Sequence, residues 1–343
     1  MKFFPSLLGN EELRMRLATD VREETLSHAY IIEGPLGSGK HTLAKELAAA
    51  LACKHSSDES LPLPCTLCPS CRKILGGKSP DVITVSREEG KAQLGVDIIR
   101  GLRSDVRVVP NDLDIKVYII EDAHTMNIQA QNAFLLTLEE PPKFVLFFLL
   151  AESSAPLLET IKSRAPILRM SPLSEELIAE SIVKMSPEAA SLKKASPEEF
   201  LEIIKLSSGY LGQALTLLDE KKRRPRLAAR QLAKKFLTEM ATKKNGKSAL
   251  ELIESFSPKR DEIIKQLSEI EHAARDLTVV KKCETAPLCF FTGEDEAAEL
   301  SFSFKTSELL CVMRSLELAK SRLEGNANVR LTIFALAIDC GLI

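Results

Sequence analysis

Seven consecutive residues, Gly34-Pro35-Leu36-Gly37-Ser38-Gly39-Lys40, have the spacing of a phosphate-binding loop. Glycines such as Gly34, Gly37 and Gly39 let backbone N–H groups converge on phosphate oxygens, and Lys40 adds a positive charge. The apolar run AYIIE (29–33) precedes the loop and HTLAKELAAALAC follows it, so it joins a strand to a helix, the context this chemistry needs. The residue after the lysine normally gives a hydroxyl to Mg²⁺; here it is His41. Thr42 comes one position late, where helix geometry should turn it away from the metal. A second strand, KVYII (116–120), should end in Asp-Glu, the Asp helping to hold Mg²⁺ and the Glu polarising water, but ends in Glu121-Asp122. Mg²⁺ demands near-octahedral geometry, and positioning supplies most of the catalysis in phosphoryl transfer. Binding of ATP or ADP is left open by these residues, Mg²⁺ is poorly served, and efficient hydrolysis is not expected.

Cys53, Cys65, Cys68 and Cys71 place four sulfurs inside residues 53–71. Short Cys-x2-Cys spacings bring two thiolates to one ion, and tetrahedral Zn²⁺ favours four of them. Such a closed set has no open position for substrate, so the expected role is structural; buried free thiols are the alternative. His55 is a spare candidate ligand. Cys283, Cys289, Cys311 and Cys340 have no ligand spacing and read as core or loop residues.

These groups must be positioned by elements that the apolar pattern reveals. Short apolar runs at 29–33, 81–86, 115–120 and 144–151 predict buried parallel strands, with helical patterns at 94–104 and 127–139 between them. Strands alternating with helices predict an α/β domain over 1–171. Strand signals then stop: 174–185, 196–207 and 212–222 predict three short helices, a small helical domain over 172–222. Residues 221–247 hold eleven Lys or Arg against one Glu, and amphipathic patterns at 258–281 and 303–342 predict a helical third domain over 223–343, least regular at 283–296. The basic run 221–235 has three readings open: contact with DNA phosphates, a solvated face or an inter-subunit contact. Net charge over 343 residues is −2, which excludes a whole-chain basic field. No apolar run approaches the roughly 20 residues that span a bilayer, and the N-terminus lacks the pattern of a signal peptide, so a cytoplasmic location without membrane contact is expected.

The combined motifs resemble the AAA+ clamp-loader subunits of bacterial DNA polymerase III across roughly residues 7–215. The resemblance lies in His28-Ala29-Tyr30-Ile31-Ile32-Glu33-Gly34-Pro35, in Ser79-Pro80-Asp81, in KVYIIEDAHTMN (116–127), in NAFLLTLEEPP (132–142) and in Ser163-Arg164-Ala165. Leu-Glu-Glu-Pro-Pro together with Ser-Arg is its most specific part, and Ala165 departs from the family's Cys. Two types of subunit share these motifs. The ATP-hydrolysing gamma/tau type has an intact loop, an ordered Asp-Glu pair and a sensor arginine; here Gly212 in Gly209-Tyr210-Leu211-Gly212-Gln213-Ala214-Leu215 occupies the place of that arginine. Altered nucleotide positions on an intact scaffold resemble the delta-prime type. The resemblance implies that Arg164 serves as an arginine finger in a neighbouring subunit's ATP site, and that the cysteines hold a zinc module. It also implies a C-terminal collar for assembly with gamma/tau and delta subunits, which act on the sliding clamp and primed DNA. An active gamma/tau-like ATPase and an unrelated AAA+ DNA-binding or repair factor are the competing readings.

Overall fold

The structure is a computed structural model and describes residues 3–88, 90–91, 93–242, 246–282, 288–291 and 294–343. Cys283 and much of the irregular stretch expected at 283–296 lie outside the described residues. The chain divides into two compact units, Met1–Ile182 with Gly209–Gln213, and Val183–Ser208 with Ala214–Ile343.

The first unit alternates strands and helices: α1 (Glu11–Arg22), β1 (Ala29–Glu33), α2 (Lys40–Leu51), α3 (Pro69–Leu75), β2 (Val82–Val85), α4 (Val96–Asp105), β3 (Lys116–Ile120), α5 (Ile128–Glu139), β4 (Val145–Ala151), α6 (Glu159–Lys162), β5 (Ile167–Arg169) and the start of α7 (Glu175–Met185). The strands form one five-stranded sheet in the order β2-β3-β4-β1-β5, and every pairing is parallel. Both faces are covered, which is why β3 and β4 are buried at every position and read as unbroken apolar runs. On one face Tyr30, Ile32, Val117, Phe148 and Leu168 join a core containing Leu17, Leu43 and Leu47 of α1 and α2. On the other, Ile31, Tyr118, Phe147 and Leu149 pack with Ile99 of α4 and Phe134 of α5. The four strands expected from the sequence are present, and β5 is an additional one. It is three residues long with a single buried side chain, too short to register as an apolar run.

The register brings the chemically interesting residues to one edge. Glu33 lies opposite Ala151, and Ile120 opposite Leu149, so the ends of β1, β3 and β4 meet at one level. Ligands in open α/β sheets bind at such carboxyl ends.

The second unit is helical: α8 (Pro187–Ala195), α9 (Pro197–Leu206), α10 (Leu211–Leu217, from Ala214 onward), α11 (Glu220–Thr242), α12 (Gly246–Glu254), α13 (Arg260–Val280), α14 (Glu294–Phe302), α15 (Thr306–Glu324) and α16 (Val329–Asp339). Where the sequence predicts three short helices after residue 172, the structure has four. The unexpected one, α8, is started by Ser186, whose hydroxyl accepts from Ala189 N at 3.3 Å, and by Pro187 in its first turn. Only Ala189 of this helix is buried, so it has almost no apolar stripe to read. The core is centred on α13, with Ile263, Leu267, Ile270, Ala274 and Leu277 packed among Phe236, Leu252, Leu309 and Leu316.

This unit also shows how the basic run is used. Arg223 is buried against Glu199, Arg226 pairs with Glu269 at 3.2 Å, and Lys234 pairs with Glu296 at 2.6 Å. Arg230 is buried and donates to the Phe290 carbonyl. Much of the charge that suggests phosphate contact is thus spent on internal partners.

Candidate nucleotide site and cysteine cluster

The loop after β1 is shaped by its glycines. Gly37 and Gly39 have φ of +78° and +94°, a left-handed backbone that other residues adopt only with strain. Gly39 is the N-cap of α2, so the first free N–H groups of that helix face the loop. Lys40 donates to the carbonyls of Gly34 and of Pro35, the latter at 2.9 Å. Burial lowers the Lys40 pKa, opposed by the negative charges of Glu152 and Asp122. The backbone cradle and its lysine therefore fit a nucleotide's phosphates.

The metal positions do not. His41 points from the first turn of α2 to Glu121, with Nε2 3.3 Å from Oε1. Thr42 is half-buried beside it, and His41 is the residue that reaches the acidic strand end. Burial lowers the His41 pKa, with Glu121 pulling the other way. Asp122 sits at φ +48° and pairs with Arg87, Nη2 to Oδ2 at 2.9 Å. Sequence reasoning passed over Arg87, although it lies two residues beyond β2, the neighbouring strand. It also passed over Glu152, the first residue after β4, whose N–H donates to His124 Nδ1 at 3.3 Å. Position at strand ends was the available signal for both. His124, given no role from sequence, is a half-buried acceptor whose pKa is lowered by burial.

Gly212 and Gly37 meet backbone to backbone: Gly212 N donates to Gly37 O at 3.0 Å. A Cβ on Gly212 would lie 2.6 Å from Gly37 Cα, so any side chain there displaces the phosphate loop. The close approach is a packing reason for glycine where the resemblance places an arginine.

Cys53, Cys65, Cys68 and Cys71 are all buried, with their sulfurs within 4.8 Å of one another. Cys65 and Cys71 Sγ are 3.9 Å apart, against about 3.8 Å for two thiolates on tetrahedral Zn²⁺ with bonds of ~2.3 Å. Backbone N–H groups of His55, Cys68 and Cys71 donate to Cys53, Cys65 and Cys68 sulfurs at 3.4, 3.4 and 3.5 Å. Burial pushes the Cys68 thiol up, but backbone donors at Cys71 and Lys54 outweigh it and bring it to about 6. Burial and the adjacent sulfurs raise Cys71 instead. Four thiolates together need a cation, and the donor set fits Zn²⁺. The sulfurs pack on α2 and α3 within the first unit's core.

Residues 9–174 match the family model described as DNA polymerase III, delta subunit. The tau subunit of DNA polymerase III from Bacillus subtilis is 33% identical over 219 residues, which are 63% of this chain and 37% of that protein. The tau subunit of Escherichia coli is 30% identical over 217 residues, 63% of this chain and 33% of that one. The chain thus spans about a third of the length of these two relatives. A solved gamma subunit-related protein from Thermotoga maritima aligns with 94% of this chain and 98% of its own at 20% identity and a TM-score of 0.40. Residues 9–174 thus carry the match to the delta-subunit family model, and the chain is homologous to the gamma/tau clamp-loader subunits of DNA polymerase III.

The clamp-loader motifs have visible structural roles. Asp81 of Ser79-Pro80-Asp81 is fully buried and accepts from the backbone N–H groups of Asn111, Asp112 and Leu113 at 2.7, 2.7 and 2.9 Å. Arg164 follows α6 at the surface. Its guanidinium donates to Thr160 O and pairs with Glu139 of the Leu-Glu-Glu-Pro-Pro block, both at 3.1 Å. The two most specific family motifs are therefore in contact. No helix among the described residues is long and apolar enough to cross a membrane.

Proposed function

We propose that this chain is a delta-prime-type clamp-loader subunit, a structural member of the complex whose own phosphate loop does not drive hydrolysis. The observation that carries this reading is His41 standing where a magnesium-binding hydroxyl belongs, its Nε2 3.3 Å from Glu121. Its AAA+ domain (1–171) holds a structural Zn²⁺ on the four cysteines, 172–222 forms the lid, and 223–343 forms the collar that assembles with gamma/tau and delta subunits. In that assembly Arg164 turns from Glu139 to a neighbouring subunit's ATP, and the complex loads the sliding clamp onto primed DNA in the cytoplasm.

One observation favours a second reading, an active gamma/tau-like ATPase: the curated relatives described above are tau subunits. Turnover separates the two. The purified chain, supplied with ATP and Mg²⁺, is expected to release phosphate no faster than its Lys40→Ala variant, while co-purifying with delta and gamma/tau subunits. Lys40-dependent turnover at the rate of a gamma/tau subunit would sink the delta-prime reading. An unrelated repair factor loses its footing with the family match.

A further inference from the structure

We propose that the phosphate loop holds a nucleoside di- or triphosphate without a divalent cation, with His41 and Arg87 occupying the places where a metal's ligands would act. The inference rests on the loop's being a nucleotide site and deepens that part of the preceding reading. In a metal-dependent loop the cation bridges phosphate oxygens to a hydroxyl and a carboxylate, so that the carboxylates do not repel the incoming anion. Each of those tasks has a substitute here. The imidazole of His41 extends from the first turn of α2 to Glu121 at 3.3 Å, filling the path from helix to strand end with a nitrogen donor. Imidazole suits zinc, copper or nickel, whereas Mg²⁺ selects oxygen. Asp122 is paired with Arg87 at 2.9 Å and its left-handed backbone is set by the short turn that follows, where Thr125 donates to its carbonyl through both N–H and hydroxyl. A cation entering between these carboxylates would have to break both pairs.

The parts that bind phosphate directly are retained. Gly37 and Gly39 keep the backbone geometry, Lys40 lies across the loop, and α2 has no acidic residue in its first turn to repel an anion. Within the loop, the buried Ser38 Oγ has no hydrogen-bond partner among the described residues. A polar atom in that condition inside a phosphate cradle is a donor in want of an acceptor. Anion binding is thus left to backbone N–H groups and Lys40, while Arg87 neutralises Asp122 and the His41 imidazole fills the space beside Glu121.

Fluorescence titration of the full chain with mant-ADP, in Mg²⁺ and in excess EDTA, tests this. The two dissociation constants are expected to agree within about twofold, and Lys40→Ala to weaken both by more than about tenfold. The double substitution His41→Thr, Arg87→Ala uncovers the carboxylates and is expected to bind at least about fivefold more weakly in EDTA than in Mg²⁺. If circular dichroism shows that variant unfolded, His41→Asn alone serves for the comparison. Binding by the unaltered chain that collapses in EDTA, or no binding in either buffer, overturns the inference, as does a variant with no metal dependence. None of these outcomes touches the clamp-loader assignment, which depends on assembly and turnover.

Discussion

Asp81 shows how one side chain can set a loop. Its carboxylate collects three backbone N–H donors from residues 111–113 while wholly excluded from water. Burial by itself would raise its pKa, but those donors outweigh burial and hold the carboxyl below its ordinary value. The sign of the pH effect follows. A group with a depressed folded-state pKa contributes stability above its unfolded value of about 3.9, and that stability is lost as pH falls through the folded value. Asp81→Asn is expected to lower unfolding free energy at pH 7 by about 2–3 kcal/mol, through lost charge-assisted bonds and an amide facing N–H donors. Urea denaturation at pH 7 and at pH 3 checks it: the gap between the two proteins should narrow at the lower pH. A gap that stays constant would mean that Asp81 acts by shape alone.

Among the elements, the stretch between α2 and α3 has the fewest means of holding itself. From Cys53 to Cys68 there is no helix or strand, and the buried side chains it gives to the core are Cys53, Leu63, Cys65 and Cys68, gathered with Cys71 of α3. A closed tetrahedral ion is the kind of staple such a segment needs. The purified chain is expected to carry one zinc, measured by inductively coupled plasma mass spectrometry. Cys71→Ser, or prolonged chelation, should release it and lower the melting temperature by roughly 5–10 °C, as a loss of about 3 kcal/mol does in a domain of this size. Zinc-free protein of unchanged melting temperature would make the cluster a set of packed thiols.

For the molecule as a working subunit, the surface residue to watch is Arg164. Its pair with Glu139 is half-exposed, and ion pairs in that setting are worth ~0–1 kcal/mol, a cost that a better anion readily repays. Within a reconstituted loader, Arg164→Ala should leave assembly intact and lower DNA-stimulated ATPase by at least about twofold, a modest share of the ~10³–10⁵ that such contacts are worth in isolated GTPases. Unchanged turnover would leave Arg164 as a brace between two motifs. The basic run 221–235 gives less reason to expect contact with DNA, because Arg223, Arg226 and Lys234 are committed to Glu199, Glu269 and Glu296.

The amino-acid order alone determined the strand-loop-helix of the phosphate site, the principal strands of the sheet, the change to helices after residue 172 and the four-cysteine set. Each of these depends on local chemistry or on a short apolar period, and both are written along the chain. It could not show β5, whose three residues become a strand only by pairing with β1, or α8, which has a cap and a proline but little apolar stripe. Nor could it show that His41 meets Glu121 and Arg87 meets Asp122, or that Gly212 lies against Gly37. The partners of each pair are far apart in sequence, and the two side-chain pairs meet because a parallel sheet brings the ends of separate strands to one edge. Side-chain pairing across that edge is a property of register and loop path, and only the tertiary fold decides it.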